Sequence, residues 1–496
     1  MFPERLIKRP GRGVGLLMVA VLFALAPFGC RTKPTVHDPE FTRVTRAIEH
    51  SWRQPPPVAA AAAVNPVIHE LGGPQPVEVY IGFALSQNPG VQAAHARIAA
   101  AAMRVPQAAS LKDPMLDVKG WPIYPNVPQT AAGRMRVDVM VSQEVPWFGK
   151  LEARSAAAEE EVNAARAQLA AAELKTIEQV KLAYFDLYYA QQALQIAERD
   201  RGFLGELVET ALARYKTGKA GQQEVLRLQA EQANVEGELI QFEQMQHRAQ
   251  AALAEALHVS PQNPLAALDA LPHESVPTDI DTLYRQAVAA RPELHAMLFD
   301  IARDRRMVDM AKLEYFPDAT FQFGYGEMTT DRALAPTADG IDNLTLGLSM
   351  NLPIYRKRLN AAVREAELNV VAGARQYDQM KDEAQREVKE LFTDAMTRRD
   401  LERLFRESII PKSEQALEVS ARGYQVGETD FADLIANWRE LLRFQLAHRR
   451  IEAELRQSLA SLERAVGGLP VVAPEEIPLP REERLPSPPL PLPAPE

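Results

Sequence analysis

The sequence predicts a mainly α-helical protein with an internal duplication, in which each copy adds two amphipathic β-strands to long antiparallel helices. The first observation is a strictly alternating stretch, 134–145, which ends at Pro146 and leads into a long helix past Gly149. The second is the return of the same unit at 344–357, where Pro353 takes the place of Pro146. The third is a composition rich in Ala, Glu, Gln, Arg and Leu, which is typical of long helices and coiled coils.

The amino terminus has the pattern of an export signal. Basic residues at positions 5, 8, 9 and 12 precede the apolar run 14–28, so the signal is predicted to span 1–29. Cys30 is the only cysteine, which excludes an intrachain disulfide. It resembles the lipid-acceptor cysteine of bacterial lipoproteins, although Pro27 and Phe28 depart from the usual residues; the alternative is a buried cysteine in a membrane anchor. Residues 30–76 are rich in Pro and Ala and predict a lipidated, extended tether.

The first copy is predicted to span 77–265. It starts with helix, interrupted at Asn88-Pro89, and continues with a short strand and the strand at 134–145. A helix then runs from Gly149 to about 215, nearly 100 Å at about 1.5 Å per residue, before a turn and a return helix. In the long strand one face carries Met135, Val137, Val139, Val141 and Val145, and the other carries Arg136, Asp138, Ser142 and Glu144.

The second copy is predicted to span 266–467. Arg291-Pro292 repeats Asn88-Pro89 at an offset of 203 residues, and Tyr424 repeats Tyr215 at an offset of 209. The small drift is what loop insertions between two copies would produce. The remaining residues, 468–496, are rich in Pro and predict a disordered tail.

Four amphipathic strands cannot close a barrel, and an open sheet edge in lipid leaves backbone groups unsatisfied. Other subunits must therefore complete a transmembrane β-barrel, and a closed ring is the symmetric solution. Three copies would give twelve strands around a polar pore, and two copies would give eight strands with a filled interior. The alternative is a soluble sheet over a core, which helices of this length disfavour.

These features resemble the TolC-like outer-membrane efflux family. The resemblance is carried by the duplicated hairpin-and-helix-pair unit, by Gln143–Lys150 at the strand-to-helix junction, and by the tip motif that runs from Tyr424 and Gly427 to Asp433. The junction is similar to that of members serving heavy-metal pumps. The resemblance implies a homotrimer with a twelve-stranded barrel in the outer membrane and an α-helical barrel across the periplasm. It also implies a periplasmic adaptor and an inner-membrane pump of the resistance-nodulation-division type as partners.

The turns between the long helices are the predicted periplasmic tips. By the resemblance, Asp433 lines the constricted entrance, where carboxylates around a threefold axis would favour cations. The alternative is a solvated helix start capped by Thr429 or Asp430. The candidate entrance residues are Asp433, Asp430, Glu428 and Glu224; the candidate adaptor contacts are Tyr215, Gly218, Tyr424 and Gly427; the strand-to-helix junctions are Pro146, Gly149 and Pro353.

No spacing of residues predicts a catalytic, cofactor or metal site, and a net charge of −10 gives no reason to expect nucleic-acid binding. Met135 and Met350 share faces with Leu and Val, which favours lipid or core contact over copper binding. We therefore predict a lipid-anchored outer-membrane conduit of a Gram-negative bacterium. It would export drugs or metal cations passively through a gate at the helix tips. The alternatives are the outer channel of a type I protein secretion system and a periplasmic coiled-coil scaffold without a pore; an enzyme is the weakest option.

Overall fold

The computed structural model describes residues 71–121, 128–218, 220–272 and 275–468, together with Arg43 and Ile68. The predicted signal, Cys30, most of the tether and the tail from residue 469 onward lie outside these residues. Within the described ranges, helices predominate, and none of them is both long enough and apolar enough to cross a membrane.

The first copy forms two short helices, a strand pair and two long helices. Asn88 separates the short helices, because its side chain accepts a hydrogen bond from the amide of Gly90 at 2.8 Å and Pro89 starts the next helix. The predicted long helix is confirmed as one element of 67 residues. The elements are β1 (Gly73–Gln75), α1 (Val77–Gln87), α2 (Pro89–Ala109), β2 (Met115–Gly120), β3 (Gln129–Thr130), β4 (Gly133–Val145), α3 (Lys150–Lys216) and α4 (Gln222–Leu257).

The second copy repeats this order with one interruption. A π-helical turn, Phe405–Ile409, stands where the first copy continues without a break. Pro411 follows it in the first turn of the next helix, and because proline has no N–H it cannot continue the α-helical hydrogen bonding. The elements are β5 (Leu265–Ala267), α5 (Ile280–Ala290), α6 (Pro292–Leu313), β6 (Ala319–Thr329), β7 (Asn343–Met350), α7 (Arg356–Leu404), α8 (Ile410–Val426) and α9 (Phe431–Ala465).

The main sheet is antiparallel in the order β2-β4-β6-β7, and the two-residue β3 also pairs with β4. Its register aligns side chains in rows across all four strands. Apolar rows on one face are Leu116, Val141, Phe323, Leu346 and Val118, Val139, Tyr325, Leu344; polar rows on the other are Asp117, Met140, Gly324, Thr345 and Lys119, Asp138, Gly326, Asn343. The predicted separation of faces is confirmed over these rows. Most of the apolar rows are exposed to solvent in the single chain.

Met135 departs from this pattern, and its predicted face is wrong. The register of β4 against β6 shifts between Met135 and Val137, which leaves Arg136 as an extra residue. A shift of one residue moves the preceding side chains to the opposite face. The methyl carbon of Met135 accordingly lies 3.2 Å from where a Cβ on Gly326 would be, on the polar face of the sheet.

A small parallel sheet connects the beginning of the first copy to the segment that links the two copies. Strands β1 and β5 pair in parallel, and Leu71 just before them is buried. The hydroxyl of Tyr80 donates to the carbonyl of Ala266 at 3.0 Å, and the amide of Leu268 donates to the hydroxyl of Tyr184, also at 3.0 Å. Residues 71–76, which the sequence assigns to the tether, are therefore part of the folded core.

The helices form two open rows, one near the sheet and one near the tips. Near the sheet the order is α2-α3-α6-α7, and near the tips it is α4-α3-α9-α8. In each row a helix of the first copy forms one edge and a helix of the second copy forms the other. Exposed apolar side chains lie on all of these edge helices: Met103 on α2, Leu368 and Val371 on α7, Leu226 and Ile240 on α4, Val419 and Val426 on α8.

Candidate functional site: the helix tips

Each long helix pair ends in a short turn that depends on a glycine. Gly218, between α3 and α4, has φ +73°, and Gly427, between α8 and α9, has φ +89°. Both values lie in the left-handed region, which side chains disfavour. The amides of Gly427 and Glu428 donate to the carbonyl of Gly423 at 2.9 and 2.8 Å, which closes the end of α8. The predicted reversal of the chain at both tips is therefore confirmed.

Tyr424 connects the second tip to the first. Its hydroxyl donates to Oε2 of Glu224 at 3.0 Å. The guanidinium of Arg214 lies 4.5 Å from the centre of its ring and donates to its backbone carbonyl. Burial, followed by the hydrogen bond to Glu224 and the charge of that carboxylate, raises the pKa of the Tyr424 hydroxyl to about 12. The hydroxyl therefore stays protonated at physiological pH and remains a hydrogen-bond donor to Glu224.

The two tips are not equivalent, although they arose from one duplicated unit. Tyr424 is only 2% exposed and packs against Phe431 with 6.0 Å between ring centres, whereas its counterpart Tyr215 is 46% exposed. Arg214 has Gly423 as its counterpart at the offset of 209. Arg214 was not among the predicted site residues; an arginine in one copy where the other has a glycine is the signal that could have identified it.

The candidate entrance carboxylates fall into two groups. Asp433, Asp430 and Glu428 are exposed at the start of α9 or just before it. Asp430 occupies the N-cap position but makes no side-chain capping hydrogen bond there. Glu224 instead accepts from Tyr424 and, through its other oxygen, from the amide of Gly221 at 3.5 Å. Glu224 is thus engaged in holding the tip, and the single chain does not bring it together with Asp433 in one cluster. No group of three metal-binding His, Cys, Asp or Glu side chains occurs in the described part of the chain.

Acidic side chains also lie partly or fully buried above the tips, between α3, α4 and α9. Burial raises the pKa of Asp200 to about 6; the neighbouring Glu238 adds to the shift, and the indole N–H of Trp438 opposes it. Burial likewise raises the pKa of Glu238, to which Glu231 contributes. The buried Glu231 is compensated by an ion pair with Arg439. The packing of the helices just above the tips therefore includes carboxyl groups that burial discourages from ionising.

At the opposite end of α3, a buried ion pair joins the strand-to-helix junction of the first copy to the connection between α6 and β6 in the second copy. Gly149 begins the helix at φ +86°, and Lys150 is only 2% exposed. Its ammonium donates to Oδ2 of Asp318 at 2.9 Å, while Oδ1 of Asp318 accepts from the amide of Trp147 at 2.8 Å. The indole of Trp147 stacks on Phe316 with 5.4 Å between ring centres. Pro146 and Pro353 follow β4 and β7 as predicted, but the lysine–aspartate pair was not predicted.

Comparison with known proteins identifies the family. The profile of the family described as outer membrane efflux protein matches residues 81–258 and 283–468, which is more than half of the chain. The chain belongs to this family. The two matched stretches fall on the two predicted copies of the duplication. An efflux protein of the outer membrane also accounts for the sheet with one exposed apolar face and for the long helices.

Individual relatives agree with this assignment. The chain is 22% identical over 408 residues to the cobalt-zinc-cadmium resistance protein CzcC of Cupriavidus metallidurans, covering 80% of this chain and 91% of that protein. The outer membrane protein VceC of Vibrio cholerae has the same fold, with a TM-score of 0.65 at 21% identity over 79% of this chain and 96% of VceC. The MtrE outer membrane channel of Neisseria gonorrhoeae, solved in its open state, gives a TM-score of 0.64 at 19% identity over 79% of this chain and 89% of MtrE. The protein is thus the outer-membrane channel component of an efflux system.

Proposed function

We propose that three copies of this efflux family member form a closed conduit that exports drugs or metal cations and is gated at the helix tips. One observation carries the proposal. Each tier of the molecule, the sheet and both helix rows, is an open row of four elements with a first-copy element at one edge and a second-copy element at the other. Copies of the chain can be related by one repeated rotation that places the first-copy edge of each tier against the second-copy edge of the next molecule. This arrangement closes all three tiers at once.

The sheet gives the strongest reason for closure. Strands β2 and β7 are its edges, and within the described residues neither has a partner on its outer side. Their apolar side chains continue the exposed apolar face of the sheet, so this surface suits hydrocarbon. An unpaired edge in hydrocarbon would leave backbone groups unsatisfied at several kcal/mol each. Pairing of β7 with β2 of the next copy removes both edges.

Three copies suit the polar face better than two. The charged side chains of Asp117, Lys119 and Asp138 lie on the polar face of the sheet, and enclosing such charges in a filled interior is costly. Eight strands would form a barrel whose interior the side chains fill, whereas twelve leave room for an aqueous passage. We therefore favour a twelve-stranded barrel continued by a ring of twelve helices.

The contacts at the tips support gating at that end. Arg214, Tyr424 and Glu224 tie the second tip to the first, and the exposed carboxylates Asp433, Asp430 and Glu428 belong to the second tip. In a threefold ring these carboxylates would concentrate negative charge and favour cations at the entrance. Loss of the link would free the second tip to move outward. We propose that a periplasmic adaptor and an inner-membrane pump of the resistance-nodulation-division type break it on docking, with Tyr215 and the glycine turns as contact candidates.

A lipid at Cys30 would add an anchor at the amino terminus. Cys30 lies outside the described residues, so this part of the proposal rests on the sequence pattern alone. A barrel would hold the protein in the membrane without this lipid, so the lipid would be redundant for anchoring.

The experiment combines mass and conductance. Protein extracted in detergent should appear as three chains by native mass spectrometry and should give discrete conductance steps in a planar bilayer. Tyr424→Phe removes the hydroxyl that donates to Glu224 and should raise the open probability. Tyr215→Phe, the same change at the exposed counterpart, should leave it unchanged. A monomer released without detergent that gives no conductance would instead indicate a scaffold. If Tyr424→Phe and Tyr215→Phe had the same open probability, the role of the tip link would be refuted, but the channel assignment would stand.

A further inference from the structure

The segment that joins β7 to α7 combines exposed apolar and basic side chains. Leu352, Ile354 and Tyr355 are 71, 66 and 72% exposed. Arg356, Lys357 and Arg358 follow directly, and all three are exposed as well. We name these three residues the basic collar. The first turn of α7 contains no acidic residue to balance them.

The equivalent junction of the first copy does not expose this charge. There Lys150, which corresponds to Lys357 at the offset of 207, is buried and neutralised by Asp318 at 2.9 Å and Glu314 at 3.4 Å. The side chains of Lys357 and Arg358 make no hydrogen bond or ion pair with any described residue. Among the described residues, the guanidinium carbon of Arg356 lies 5.3 Å from the centre of the Tyr315 ring and has no carboxylate partner. Where the first copy neutralises its lysine internally, the second copy exposes Lys357 and flanks it with Arg356 and Arg358, which have no basic counterpart in the first copy.

The position of the collar identifies the chemistry that would neutralise it. The apolar face of β7 continues through Leu352 and Ile354 and stops at the collar, on the helix side of the sheet. Trp147, Phe148 and Tyr355 lie at the same end, and Phe148 is 86% exposed. Aromatic side chains of this kind mark the boundary between hydrocarbon and headgroups. The collar therefore sits at the depth of the headgroups, where phosphodiesters are the available anions.

We propose that the basic collar binds the phosphodiester headgroups of anionic phospholipids in the periplasmic leaflet, with the exposed apolar segment before it lying along their acyl chains. The inference rests on the proposed membrane placement of the sheet. In a ring of three copies the collars would place nine cations around the waist of the protein, at the border between barrel and helices. Each surface cation increases the affinity for an anionic membrane roughly fivefold, and each copy would contribute three such cations.

The test measures which lipids stay bound. Detergent-purified protein is stripped of lipid and incubated with mixed micelles of phosphatidylethanolamine and phosphatidylglycerol. Retained lipid is then counted by native mass spectrometry. We expect a preference for phosphatidylglycerol, and a drop of at least tenfold in that preference for the double variant Lys357→Gln/Arg358→Gln. The matched control is Arg375→Gln/Arg386→Gln, which removes the same charge from exposed positions farther along α7 and should keep the preference.

Each result distinguishes lipid binding at the collar from an alternative explanation. An unchanged preference in the double variant, or no preference in the wild type, would overturn the proposal. Displacement of phosphatidylglycerol by millimolar inorganic phosphate would assign the collar to small anions and would also overturn it. Native mass and conductance are recorded on the same samples: trimers that conduct without lipid preference refute only the collar, and chains that neither trimerise nor conduct refute the conduit.

Discussion

At the scale of single residues, the carboxylate of Asp200 carries a charge that its surroundings oppose. Its pKa is raised from the ordinary value of 3.8 to about 6. Well below pH 3.8 the carboxyl group of Asp200 is protonated in both the folded and the unfolded chain, so its pKa shift does not change the free energy of unfolding. As pH rises towards 6 the unfolded chain releases the proton first, so folding loses stability. Above pH 6 the full penalty remains, on the order of 2–3 kcal/mol for a shift of this size.

We therefore expect the melting temperature to fall between pH 4 and pH 6.5 and expect Asp200→Asn to remove part of that fall. The amide keeps the shape of the side chain without the charge, so the variant should be the more stable form at pH 7.5. Helix unfolding followed by circular dichroism across this pH range gives the measurement. Glu198→Gln, an exposed carboxylate on the same helix, is the control and should melt like the wild type. An Asp200→Asn protein less stable than the wild type at pH 7.5 would contradict the expectation.

At the scale of elements, β4 offers two adjacent residues on opposite faces for comparison. Val139 lies in an apolar row and Asp138 in a polar row of the sheet. Val139→Arg would place a charge in hydrocarbon at about 2–4 kcal/mol per chain, whereas Asp138→Lys would remain in water. We expect the first variant to lose most of its detergent-extractable trimer and the second to assemble normally. Similar yields of both variants, judged by native mass spectrometry, would mean that the faces are wrongly assigned.

The same strand shows how far sequence reasoning extends. The alternation from Val137 to Val145 depends only on the period of a strand, so its faces were predictable. The bulge at Arg136 was not, because register is set by the partner strand and not by β4 alone. The pairing of β1 with β5 was missed for the same reason: each strand has three residues, too few to show a period.

Some features of the tips could likewise be predicted from the sequence, and others could not. Glycine at a helix end is a local signal, so Gly218 and Gly427 were found from the sequence. The contacts of Tyr424 with Arg214 and Glu224 join residues about 200 positions apart, and spacing along the chain carries no trace of them. The half-buried position of Asp200 depends on three helices at once and was likewise not predictable from the sequence. The entrance ring stays a prediction, because it requires side chains from several copies.

At the scale of the whole molecule, assembly should depend on the edge helices. Ile240 on α4 is 68% exposed in the single chain and would be covered by α8 of the next copy in the proposed ring. Replacing it by aspartate removes buried apolar area worth about 2 kcal/mol and adds a charge at each of three interfaces. We expect Ile240→Asp to lower the trimer fraction on dilution in detergent while helix content is unchanged. Gln241→Asp, next to it on the exposed surface, serves as control. Equal dissociation of both variants would argue against α4 as an edge.

The π-helical turn at Phe405–Ile409 gives the two halves of the protein unequal stiffness. The helix of the first copy acts as an unbroken strut from the sheet to its tip, while that of the second copy has a joint part of the way along. Beyond this joint α8 is a lever of 17 residues, about 25 Å long. A rotation of about 10° at the joint would displace the far end by about 4 Å, more than the width of a water molecule. A small angular change near the middle of the molecule is thus magnified at the tip of one copy and has no counterpart in the other.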